Sequence, residues 1–208
     1  MKLKRGSLIA LPSSVQRLAL NDTKVKSQSL APLRGHAPAA NGVIELDLSD
    51  IVQFIRVKVA LDFGRTFSKI KVLKINRCGG YYTDVCLMYF SQHLLEVLEA
   101  HDSVLDDHDV RFYFPVSLRR LNIAGCGHVT PASALHMAAL TNLEYLDVRG
   151  CPGLTDRAIQ RYFKIPITND NSDYYGMLQR MLPQCEVVSA SSSLLNDDDD
   201  DDFELELD

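Results

Sequence analysis

One spacing restricts what this chain can fold into. The frame L-x-x-L-x-L-x-x-C, three apolar positions followed by a small residue, recurs at a nearly constant interval. Leu118, Leu121, Ile123 and Cys126 fill it, and Leu143, Leu146, Val148 and Cys151 fill it again 25 residues later. Ile70, Leu73, Ile75 and Cys78 make an earlier copy, and a looser one holds Leu95, Leu98, Ala100 and Ser103, so the successive offsets are 25, 23 and 25. Val43, Leu46, Leu48 and Ile51 extend the series upstream by 27 residues, and Leu182, Cys185, Val187 and Ala190 read as a closing strand. Val15, Leu18, Leu20 and Thr23 fit the frame as well.

Alternate side chains of a strand point to opposite faces, so Leu121 and Ile123 face inward while Asn122 faces out. After each strand comes a turn and a short amphipathic stretch. Thr130 and Pro131 suit an N-cap and first helical position, Thr155 and Asp156 place acceptors at the next helix start, and Ile159, Tyr162 and Phe163 are expected to face the sheet. A single unit of this kind cannot bury its apolar side alone, whereas stacked units cover one another. The expected fold class is therefore α/β: a leucine-rich-repeat solenoid of the ribonuclease-inhibitor-like kind, with a short parallel sheet on the concave face and helices on the convex face. It spans residues 43–190, with an inserted polar loop at about 164–176 marked by Pro166 and Gly176.

Charge is distributed unevenly. Residues 1–42 hold seven Lys/Arg against Asp22 alone, and residues 196–208 hold nine Asp/Glu and no base, which leaves the body near neutral. A near-neutral body offers no basic footprint for nucleic acid, and no run reaches the roughly 18–20 apolar residues that a transmembrane helix needs. The basic, Ser-bearing first 42 residues suit a mitochondrial transit peptide, or a partial first repeat using Val15 to Leu20. The Ser-rich and acidic end, 191–208, is expected to be disordered because its like charges repel. Five widely spaced cysteines at 78, 86, 126, 151 and 185 lack a Cys-x-x-Cys or knuckle spacing, which favours reduced thiols.

Little in the sequence points to catalysis, and no cofactor or metal is expected. Cys78, Cys126 and Cys151 fall in successive turns, where a buried thiol fills space. Cys86 belongs on the buried face of a helix. His101, Asp102, Asp106, Asp107, His108 and Asp109 could ligate a divalent ion or do acid–base chemistry if folded inward, but their polarity reads better as a solvated convex loop. The surface expected to act is the outward side of the strands: Glu45, Asp47 and Ser49; Val72, Lys74 and Asn76; Val97, Glu99 and His101; Arg120, Asn122 and Ala124; Tyr145, Asp147 and Arg149. Mixed charge with Arg and Tyr anchors suits a protein partner.

Two resemblances sharpen this. The Cys-bearing frame followed by an LTD-type turn resembles the cysteine-containing leucine-rich repeats of F-box proteins, which present substrates to ubiquitin ligases. A closer likeness runs through IELDLSDIVQF, LKINRCGGYYTDVCLMYFSQ, SLRRLNIAGCGHVTPASALHMAALTNLEYLDVRGCPGL and MLQRMLPQCEVV, over roughly 43–190. These resemble the short mitochondrial family that contains the ATP synthase coupling factor B-like protein and the distal membrane-arm assembly component of respiratory complex I. That resemblance implies mitochondrial import, peripheral attachment at the matrix side of the inner membrane, and a non-enzymatic role in building or coupling a respiratory complex through one of its subunits. The F-box likeness implies instead a cytoplasmic adaptor for a cullin ubiquitin ligase. The enlarged loop after Phe163 and the acidic tail depart from the mitochondrial pattern.

Overall fold

The computed structural model describes residues 14–21, 42–50, 67–90, 94–164 and 176–189. Seven three-residue strands form one sheet: β1 (Arg17–Ala19), β2 (Glu45–Asp47), β3 (Val72–Lys74), β4 (Val97–Glu99), β5 (Arg120–Asn122), β6 (Tyr145–Asp147) and β7 (Glu186–Val188). They lie in chain order, and every neighbouring pair is parallel. The register sets Leu18, Leu46, Leu73, Leu98, Leu121, Leu146 and Val187 side by side. The α/β class with a single parallel sheet therefore holds, and the N-terminal frame at Val15 to Leu20 supplies its first strand. Frame positions Thr23, Ile51 and Ala190, the loop residues 165–175 and the acidic tail lie outside the described residues.

Between β3 and β7 run α1 (Gly80–Phe90), α2 (Asp107–Tyr113), α3 (Ala132–Ala138), α4 (Asp156–Phe163) and α5 (Met177–Met181). In α1, Thr83, Cys86, Leu87 and Phe90 are buried, a spacing of three, four and seven residues that puts all four on one helical stripe. In α3, Ser133, Ala134 and Met137 do the same work. Cys86, Leu87, Phe90, Ala134 and Met137 share one core with the frame leucines. The strands are too short to stand alone, so lateral stacking of units supplies the burial that makes each rung stable.

The helix ends follow from local chemistry, with two departures from expectation. Asp106 caps α2, accepting the N–H groups of His108 and Asp109, while the Asp109 carboxylate accepts the N–H of Asp106 to complete a capping box. The helix stops at Phe114, whose extended backbone suits the residue before Pro115. Thr155 caps α4 as expected, accepting from Ala158 at 3.3 Å. Helix α3 starts one residue later than expected, with Pro131 in the cap position; Thr130 precedes it, its hydroxyl accepting from Ala132 and donating to Asp107 of the preceding unit. Ile159 is buried and Phe163 packs on the core, but Tyr162 is exposed, its ring edge-on to Phe163. A two-turn helix presents too narrow an inner stripe for three large residues.

The C-terminal end is tied down by two side chains. Asp156 on α4 accepts the N–H groups of Gly176 and Met177 at 2.9 and 2.8 Å, bracing the start of α5. Gln179 on α5 accepts the Val187 N–H at 3.0 Å and donates to the Leu182 and Cys185 carbonyls, so its amide serves the groups that a further strand would otherwise pair.

Candidate binding face and the ladders behind it

Reading across the strands, Glu45, Val72, Val97, Arg120 and Tyr145 form one row on the side opposite the core, and Asp47, Lys74, Glu99, Asn122 and Asp147 form the next. Beyond the strand ends, backbone hydrogen bonds join the Asp50, Arg77, Asp102 and Gly125 N–H groups to the carbonyls of Asn76, His101, Ala124 and Arg149. The strand residues Glu45, Asp47, Lys74, Glu99, Arg120, Asn122, Tyr145 and Asp147 thus share the outward parity of the sheet.

They do not all play one part. Asp147 is only 1% exposed; its carboxylate accepts the Arg149 N–H and is gripped by the Arg149 guanidinium. Burial pushes that carboxyl up, but the bonds from Arg149 outweigh it and hold it below the ordinary range. Asn76 is also buried, and its side-chain oxygen accepts the His101 N–H. Asp47 and Asn122 use a side-chain oxygen to cap the N–H two residues on, at Ser49 and Ala124. Short polar side chains at a strand exit compete well for the turn's free N–H. Asn76 and Asp147 are therefore corrected from partner-facing residues to structural ones.

What remains is exposed Arg120 and Arg149 together with half-buried Glu45, Lys74, Glu99, His101 and Tyr145. Lys74 sits between Glu45 at 3.4 Å and Glu99 at 3.7 Å, and Arg17 reaches Glu45 at 3.0 Å. Arg120 lies over the Tyr145 ring, 4.5 Å from its centroid. Such solvent-facing pairs add little stability, about 0–1 kcal/mol each, so the face is charge-matched rather than rigidly braced. A shallow depression at the strand exits is lined by His101, Asn122, Asp147 and Arg149, among others. Beside it, Asp50 and Arg77 form a two-pronged pair at 2.6 and 2.7 Å, and the Arg77 guanidinium beside Asp50 holds that carboxyl below its usual range.

Behind the face run two ladders that the sequence frame only half disclosed. The small frame residue does more than fill space: the Cys78, Cys126 and Cys151 thiols donate to the carbonyls of Leu48, Ala100 and Ile123 of the preceding unit, and the Ser103 hydroxyl donates to Ile75. Burial pushes the Cys126 thiol up to about 12 and drives Cys86, on its expected buried helix face, higher still. Neither supplies a thiolate near neutral pH. The residue just before the last position of the frame takes the left-handed conformation in five successive units, at Asp50, Arg77, Asp102, Gly125 and Gly150. That recurring turn geometry was available as a signal in Gly125 and Gly150, but three of the five positions carry side chains and hid it.

The acidic stretch expected to be one solvated loop divides in two. His101 and Asp102 belong to the strand exit, bonded to each other at 2.9 Å. Asp106 to Asp109 instead open α2 on the helical side, and Asp107 accepts from Thr130 and Ser133 of the next unit. Asp109 is buried, with its Oδ1 lacking a hydrogen-bond partner among the described residues. Burial, reinforced by Asp84 and Asp106, pushes its carboxyl up to about 6. Asp106, His108 and Asp109 each bring one ligand-type atom within 4.8 Å of the others, while His101 takes no part.

Fold and face together define a stacked α/β protein with one parallel sheet and a polar, charge-matched open surface. A scan against models of known protein families gives no match, and a search of curated proteins finds no significant relative. Among the described residues, no helix is long and apolar enough to cross a membrane.

Proposed function

We propose that this chain is a leucine-rich-repeat scaffold without catalytic activity of its own, acting in mitochondria in the assembly or coupling of a respiratory complex. Its partner would be a complex I subunit or assembly intermediate, or an ATP synthase component, held at the matrix side of the inner membrane. The observation that carries the binding role is the open row in which exposed Arg120 stacks on Tyr145, flanked by Lys74, Glu99 and Arg149. Arginine and aromatic side chains are the usual energetic anchors of protein interfaces. The mitochondrial assignment rests on the segment resemblances over 43–190 and on the basic N-terminal composition.

The test is a C-terminally tagged full-length chain in cells, with proximity labelling and sequencing of the mature N-terminus. Mitochondrial residence with labelled respiratory subunits, reduced about tenfold or more by Arg120→Glu with Tyr145→Ala, is the expected result; a loss of 2 kcal/mol at an anchor is a factor of roughly 30. Where the chain is cut matters, because a cut near residue 42 would strip β1 from the sheet, whereas one before residue 14 would leave it whole. Cytosolic residence with a cullin-linked partner would overturn this reading in favour of a ubiquitin-ligase adaptor.

A further inference from the structure

Helix α4 carries Arg157 and Arg161 one turn apart and is followed by Lys164, which ends it in a left-handed cap. Arg157 and Arg161, four residues apart, share a helical face opposite buried Ile159, and Lys164 extends the positive charge past the helix end; all three are exposed. Asp156, the neighbouring carboxylate, is already spent on the N–H groups of Gly176 and Met177. Exposed Tyr162 stands on the same helix. The stripe runs about 10 Å, at 1.5 Å of rise per residue.

The same end of the fold is where the acidic segment departs. β7 packs on α5 and α5 packs on α4, so at roughly 10 Å per packed neighbour the strand exit lies about 20 Å from the stripe. Asp197 follows Ser189 by eight residues, a reach of up to about 26 Å. The run Asp197–Asp202 carries charge opposite to the stripe, and Phe203, Leu205 and Leu207 follow it in the sequence. We propose that the basic stripe Arg157, Arg161 and Lys164 is a docking site for an acidic segment, and that its occupant is this chain's own Asp197–Asp202. The short tether supplies a millimolar effective concentration, so a weak contact suffices. The contact is electrostatic and screened by salt, with a Debye length of about 10 Å at 0.1 M. It depends only on the ends of the fold and not on the function proposed for the open face.

The test uses full-length protein and limited chymotrypsin cleavage after Phe203, followed by mass spectrometry. At about 50 mM salt, Arg157→Glu/Arg161→Glu/Lys164→Glu should be cut some three- to tenfold faster than the parent chain, and the difference should vanish near 0.5 M salt. Replacing Asp197–Asp202 by Asn should shift amide NMR signals of α4, not of β2 to β5. Equal cleavage rates at low salt would overturn the proposal, as would amide shifts confined to the open face of the sheet.

Discussion

Leu121→Ala probes the stacking on which every later inference depends. Leu121 is fully buried in β5, in register with Leu98 on one side and Leu146 on the other. The substitution removes three side-chain carbons, worth about 2.4 kcal/mol at roughly 0.8 kcal/mol each. A rung clamped between two others cannot collapse freely into the space, so a cavity contribution brings the expected loss to about 3–5 kcal/mol. Leu18→Ala is the internal comparison. Leu18 is only half-buried, and its one neighbouring strand among the described residues is β2, so its loss should stay near 1–2 kcal/mol. Urea unfolding followed by far-UV circular dichroism measures both. With a slope of about 2 kcal/mol per molar, Leu121→Ala should lower the midpoint by roughly 2 M. A loss below 1 kcal/mol for Leu121→Ala, or one no greater than that of Leu18→Ala, would refute the stacked packing.

Three further outcomes follow from single sites. Asp109 has its carboxyl raised from 3.8 to about 6 in the fold, so its contribution is fully present below about pH 4 and is lost as pH rises through 6. Relative to the parent chain, Asp109→Asn should therefore gain about 2–3 kcal/mol between pH 4 and pH 7.5 in paired urea titrations, and a flat difference would dismiss the shift. Gln179→Ala leaves the Val187 N–H and the Leu182 and Cys185 carbonyls without their partner. It should cost about 1–3 kcal/mol and promote concentration-dependent self-association through β7 in sedimentation velocity; a strictly monomeric, equally stable variant would show that the amide does not close the edge. Gly125→Ala places a Cβ against the Asp102 carboxylate at a φ of 74°. A melting experiment should register a loss of about 1–2 kcal/mol, smaller when Asp102→Ala is introduced alongside; additive losses would mean that Asp102 is not the obstacle.

Much of this architecture was legible before any coordinates. A frame of Leu118, Leu121 and Ile123 recurring 25 residues on can bury its apolar side only against a copy of itself, so chain order in the sheet and parallel pairing followed from periodicity alone. Thr155 as a cap and Cys86 on an inner helix face were likewise local matters of spacing and hydrogen-bonding capacity. What the amino-acid order left undecided depended on partners far away in the chain. Asn76 and Asp147 share the outward parity of Arg120 and Tyr145, yet one is held by the His101 N–H and the other by Arg149, and both are buried. The frame cysteines looked like fillers because the carbonyl each one meets lies 26 to 30 residues back, in the preceding unit. Asp109 looked solvated because its polarity is visible in the sequence, whereas the packing of α2 against α1 and α3 that encloses it is not. Periodicity decides which side of a strand a residue takes; only the neighbouring unit decides whether water still reaches it.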